Sequence, residues 1–246
     1  MATDGATMTF FAFPREIRDL IYTFLTPKDK TYTITSANTV ALAKAFSTLA
    51  PDLGIINTSK TVQYEMLETL CPNNTFRFSF PGSDTKTQSM DLELAELMTH
   101  IEIYIDLEHF HWERFRVGRH DHEIHGISGQ VCEVLRVWNG LSVRRETCRI
   151  TIKDGISFIS PLLRLPFLDA VKTLVGLDTL LIIVLKFKWD LRKLGAVLGP
   201  SLGPSTVHYR WPLLEYVDRD YGCIKFHPRR SLAERLEQAA GENMAH

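Results

Sequence analysis

The apolar positions change rhythm several times along the chain. Between Phe13 and Leu25 they recur at helical spacing, with Ile17, Leu20, Ile21 and Phe24 forming one stripe. Pro14 suits the first turn, where its missing N–H costs nothing, and Glu16 sits at the positive end of the helix. Arg15 and Asp19 stand four apart, where opposite charges pair, and Pro27 stops the helix. Tyr32 to Thr35 alternates as a strand or extended loop does. An alanine-rich helix over Val40 to Leu49 is broken by Pro51 and Gly54. A longer helix covers Ile55 to Leu70, with Ile55, Val62, Met66, Leu67 and Leu70 as its inner face. Phe76, Phe78 and Phe80 then alternate with polar neighbours, which predicts a strand over Thr75 to Phe80, followed by a polar loop over 81–89.

Beyond that loop, helical and strand-like segments take turns. Short helices are expected at Leu92 to Met98 and Asp190 to Leu198, the latter capped by Asp190. Longer ones are expected at Gln130 to Trp138 and Pro161 to Val175, and a polar helix at Ser231 to Ala240. Strands fall at Ile101 to Leu107, Arg149 to Lys153, Thr179 to Phe187 and Gly222 to Phe226, with Gly199 to Pro204 as a loop. Alternation of this kind predicts parallel strands joined by crossover helices. The nearly all-apolar Thr179 to Leu185 reads as a central strand. The expected fold is mixed α+β and α/β. A helical unit over 10–80 ends in a strand, and strand–helix alternation with a mainly parallel sheet occupies 90–240. The pattern is compatible with one packed domain or two, and with either a short, irregular leucine-rich-repeat-like sheet or a compact α/β layer.

Composition narrows the function classes. The chain has 246 residues, 28 basic and 29 acidic, for a formal net charge of −1. That balance gives no electrostatic reason to expect a nucleic-acid or membrane partner. Cys71, Cys132, Cys148 and Cys223 show neither zinc nor redox spacing and read as packed thiols of an intracellular protein, cytoplasmic or nuclear. Residues 1–9 lack a basic stretch followed by an apolar run, so no signal peptide is expected. The most apolar stretch, Leu174 to Phe187, is too short and too broken to span a bilayer.

Two segments carry a family resemblance. One is Phe13-Pro14-Arg15-Glu16-Ile17 with the helix to Leu25; the other is Ile56 to Glu65 followed by Asn74-Thr75-Phe76-Arg77-Phe78. Together they resemble the F-box-like domains of filamentous fungi, which pair such a head with a helix bearing an inner glutamate and an asparagine–threonine–phenylalanine strand. Phe13 stands where the head usually has leucine. The resemblance covers about residues 10–80. It implies a non-enzymatic adaptor that recruits a target protein to a cullin–RING ubiquitin ligase by docking on its Skp-type adaptor. It further implies Phe13, Pro14, Ile17, Leu20, Ile21 and Leu25 as the docking surface, and the 90–240 region as the surface that recognises an unknown target.

Other chemistry is sparse. His109, His111, His120, His122 and His125 lie close together beside Asp106, Glu108, Asp121 and Glu123 and are weak metal candidates. His122 and His125 are three apart, whereas the zincin helix needs four, and Gly118 and Gly126 suggest a loop. There is no phosphate loop and no nucleophile elbow, and Cys132 sits on an apolar helix face. No cofactor is expected. A stand-alone scaffold without a ligase partner and a metal-dependent enzyme using the histidine loop are the alternatives.

Overall fold

The computed structural model describes residues 10–34, 59–81, 92–107, 121–139, 145–154, 166–185, 191–209 and 221–244. The chain is a mixed α/β fold, and its described residues build one seven-stranded sheet. Its strands are β1 (Thr31–Ile34), β2 (Thr75–Pro81), β3 (His100–Leu107), β4 (Thr147–Asp154), β5 (Thr179–Leu185), β6 (Ser205–Tyr209) and β7 (Tyr221–Phe226). Among the described residues the α-helices are α1 (Arg15–Leu25), α2 (Lys60–Leu70), α3 (Leu92–Leu97), α4 (Asp121–Asn139), α5 (Phe167–Lys172), α6 (Leu191–Leu202) and α7 (Pro228–Met244).

The strand order is β1-β2-β3-β4-β5-β7-β6. Strands β1 to β5 are parallel and laid down in chain order, whereas β7 runs antiparallel to both β5 and β6. Monotonic order has a geometric consequence. Each crossover steps the same way, and crossovers are right-handed, so the connecting helices collect on one face. Successive helices accordingly touch one another: α3 on α4, α4 on α5, α5 on α6 and α6 on α7. The β2–β3 pairing carries the sheet straight across the interval between residues 80 and 90.

Alternation along the strands follows from this layering. Phe76, Phe78 and Phe80 of β2, Ile101, Ile103 and Ile105 of β3, and Leu180, Ile182 and Val184 of β5 are buried in a single core. That core also takes Met66 and Leu70 of α2, Val131, Val134 and Trp138 of α4, and Leu194 and Leu198 of α6. Trp138 donates its indole N–H to the Met98 carbonyl at 2.9 Å, and the Arg145 guanidinium lies over its ring at 5.0 Å. Arg145 is itself buried and donates to the Ala95 and Met98 carbonyls, so it caps the end of α3. Burial lowers its pKa to about 10.

Several boundaries differ from the sequence reading. Helix α6 runs through Pro200 to Leu202, where a loop was expected from Gly199, because Leu198 and Leu202 are both fully buried one turn apart. Gly203, at φ +87°, then ends it. Strand β6 has no counterpart among the expected strands. Helix α4 begins at Asp121, so His122 and His125 lie on a helix rather than in a loop. Helix α7 runs from Pro228 to Met244, longer than expected at both ends. The expected helix over 40–49, Ile55, the loop over 82–89, His109, His111, His120, Leu162, Leu165 and Asp190 lie outside the described residues.

Candidate functional site

The two segments that carry the resemblance meet in space. Helix α1 starts at Pro14, whose carbonyl accepts from the N–H groups of Ile17 and Arg18. It ends where the Thr26 N–H and hydroxyl both donate to the Tyr22 carbonyl at 2.8 Å. A 3-10 turn over Phe10–Ala12 precedes it. Phe10 packs on Tyr22 at 5.8 Å and on Phe13 at 6.5 Å between ring centroids. Arg18 donates to the Phe13 carbonyl at 2.7 Å and lies over the Phe11 ring at 5.6 Å. The head is thus tied to the helix behind it.

The face that α1 turns toward α2 is polar. Glu65 of α2, only 5% exposed, takes two guanidinium N–H groups of Arg18 at 2.6 and 3.0 Å and the Tyr22 hydroxyl at 2.8 Å. Arg15 bridges Asp19 and Glu68, each at 2.6 Å, and lies 3.6 Å from Glu65. Hydrogen bonds from Arg18, helped by Tyr22 and opposed by burial, hold the Glu65 carboxyl below its ordinary range. Burial, then the bond to Glu65, pushes the Tyr22 hydroxyl up to about 12.

Below this clamp, Asn74 fixes the exit of α1. Its side chain, 2% exposed, accepts from the Lys30 N–H at 2.9 Å and donates to the Pro27 and Leu70 carbonyls at 2.8 Å. Thr75 N–H donates to the Lys30 carbonyl at 2.8 Å, which sets β1 beside β2. The glutamate and the asparagine of the resembling segments therefore both have assigned work, one clamping the face of α1 and the other its end.

With its polar face inward, α1 shows its apolar face to solvent. Phe24 is 90% exposed, Leu20 68% and Ile17 43%, with Leu25 and Phe11 also exposed. Of the seven large apolar side chains exposed among the described residues, five lie between Phe11 and Leu25. Scattered exposed apolar residues are ordinary, whereas a cluster on one helix face is not. Of the residues expected to dock, Pro14, Ile17, Leu20 and Leu25 are exposed, while Phe13 and Ile21 are partly covered. Phe24 and Phe11 belong with them. Phe24 follows Leu20 by four residues on the same stripe, so its spacing was the available signal.

Nucleophile and metal candidates fare differently. Burial raises the pKa of Cys71, Cys132, Cys148 and Cys223, which disfavours their thiolates. Among the described residues no group of three or more His, Cys, Asp or Glu side chains is arranged to hold a metal ion. Likewise, no helix among them is long and apolar enough to cross a membrane.

No protein-family model matches the chain, and neither the curated proteins nor the solved structures yield a match.

Proposed function

We propose that this chain is a non-enzymatic interaction protein that bridges two partners. Its α1 face docks on the Skp-type adaptor of a cullin–RING ubiquitin ligase, and the sheet is left to recognise a target protein. The observation that carries this reading is the inverted polarity of α1: charged side chains face the protein and apolar ones face water. A proline-started helix with a fixed rotation and exposed apolar side chains is the geometry that fits an apolar groove. A bridge of this kind does its work by raising the local concentration of a target near the ligase.

The scaffold reading assigns the stripe to internal packing, so that Ile17→Asp would unfold the protein. The exposure of Ile17, Leu20 and Phe24 favours docking instead.

The test is co-purification with a Skp-type adaptor. Burying Leu20 and Phe24 in a partner is worth about 1.5–3 kcal/mol each, so losing either weakens binding roughly tenfold or more. Leu20→Asp/Phe24→Asp should keep the wild-type melting temperature and lose the adaptor. Recovery of equal adaptor by both proteins, or of none by wild type, overturns the proposal.

A further inference from the structure

The face of the sheet away from the core carries a different pattern. Strand register aligns Arg77, Glu102, Arg149, Leu181 and Lys225 in one row across β2, β3, β4, β5 and β7. The next row on the same face, through Tyr104, Thr151 and Ile183, has Thr151 and Ile183 buried, and the row through Asp106, Lys153 and Leu185 lies beyond it. Both carboxylates that the described strands place here are engaged. Glu102, almost fully buried, accepts from Arg77 at 3.0 Å and from the Thr151 hydroxyl at 3.1 Å. Asp106 pairs with Lys153 at 3.3 Å. Two cations remain. Arg149 is exposed and Lys225 partly exposed, and neither forms an ion pair among the described residues. Between them stands Leu181, also partly exposed.

We propose that this row binds an acidic, extended segment of a partner protein. An aliphatic side chain of that segment would rest on Leu181, between carboxylates that reach Arg149 and Lys225. The proposal rests on the bridging role given above and names the chemistry of the target. Its support is charge complementarity: the surplus that the described strands place on this face is cationic although the chain as a whole carries −1. Arg149 and Lys225 are two strands apart, about 10 Å, which three residues of extended chain span. A nucleic acid fits less well. It asks for a run of cations matched to successive phosphates, whereas this row offers two separated by an apolar strand.

The probe is a random-peptide display library panned on the full chain and on Arg149→Glu/Lys225→Glu. Wild type should enrich peptides in which acidic residues flank an aliphatic one. The variant should lose that enrichment and shift toward basic peptides. Peptides without acidic bias, identical selections by the two proteins, or no selection at all overturn the proposal. Adaptor capture by both proteins is measured in parallel and depends on α1 alone. If peptides are selected as expected but no adaptor is captured, the ligase reading falls and this one stands. If adaptor is captured but peptides fail, the reverse holds.

Discussion

Replacing Glu65 with alanine tests whether the clamp under α1 is what orients the helix. The substitution takes the acceptor from the Tyr22 hydroxyl, which is fully buried. An unsatisfied buried hydroxyl costs about 1–3 kcal/mol. Arg18 also loses two bonds, but it keeps the Phe13 carbonyl and reaches water, so its share is small. The expected loss is about 2 kcal/mol, or roughly 4–8 °C in melting temperature for a chain of this size. Urea unfolding of a double-mutant cycle with Tyr22→Phe isolates the pair. In the Glu65→Ala background, Tyr22→Phe removes an unpaired hydroxyl and should be neutral or stabilising, although it destabilises the wild type. The sign of the pH dependence follows from the same geometry. Glu65 titrates below its ordinary value of 4.5, so folding favours its charged form. That contribution is complete above pH 4.5 and fades as pH falls through the lowered value. Wild type should therefore lose stability in acid more steeply than Glu65→Gln. Additive single-mutant effects, or a Glu65→Ala protein that melts with wild type, would refute the clamp.

Asn74→Ala strands the Lys30 N–H and the Pro27 and Leu70 carbonyls, and urea unfolding should show a loss of about 2–3 kcal/mol. Gly203→Ala is expected to destabilise by at least about 1 kcal/mol, because φ is +87° and the added methyl meets the Ser231 side chain. Adding Ser231→Gly should recover only the steric part of that loss in a thermal melt. In a tyrosinate absorbance titration, Tyr22→Phe should remove a component near pH 12. Since the raised value favours the neutral phenol in the folded chain, the matching stability is present below pH 10 and lost as pH rises through 12.

The core was legible because its residues declare themselves locally. Phe76, Phe78 and Phe80 alternate within one strand, and Val131, Val134, Leu135 and Trp138 share one helical face. Strand β6 was not legible. It is an edge strand whose Thr206 and His208 are exposed, and among the side chains described its inward side has Ser205 and a partly buried Val207. Pro200 read as a helix stop, but the burial of Leu198 and Leu202 outweighs its missing N–H. For the candidate site, the stripe on α1 was visible and its direction was not. Periodicity says that a helix has an apolar face, and burial is the default for such a face. What turns α1 over is Glu65 and Glu68, which meet Arg18 and Arg15 across 47 and 53 residues of chain, a distance no local pattern reports.

The outward turn of α1 is enforced rather than left over from weak packing. Helix α2 spends its apolar face, Val62, Met66, Leu67 and Leu70, on the core, which leaves Glu65 and Glu68 as what it offers to α1. Rolling α1 over to bury Leu20 and Phe24 would break the Arg18 and Tyr22 bonds to Glu65 and set apolar side chains against carboxylates. It would also twist the exit at Thr26 and Pro27, which the Asn74 side chain holds to the end of α2. Both the face and the end of the helix are therefore fixed by buried and part-buried polar bonds. Leaving Leu20 and Phe24 in water forgoes about 1.5–3 kcal/mol each. That these polar contacts hold an otherwise unfavourable orientation is the physical support for the proposal that a partner covers the α1 stripe.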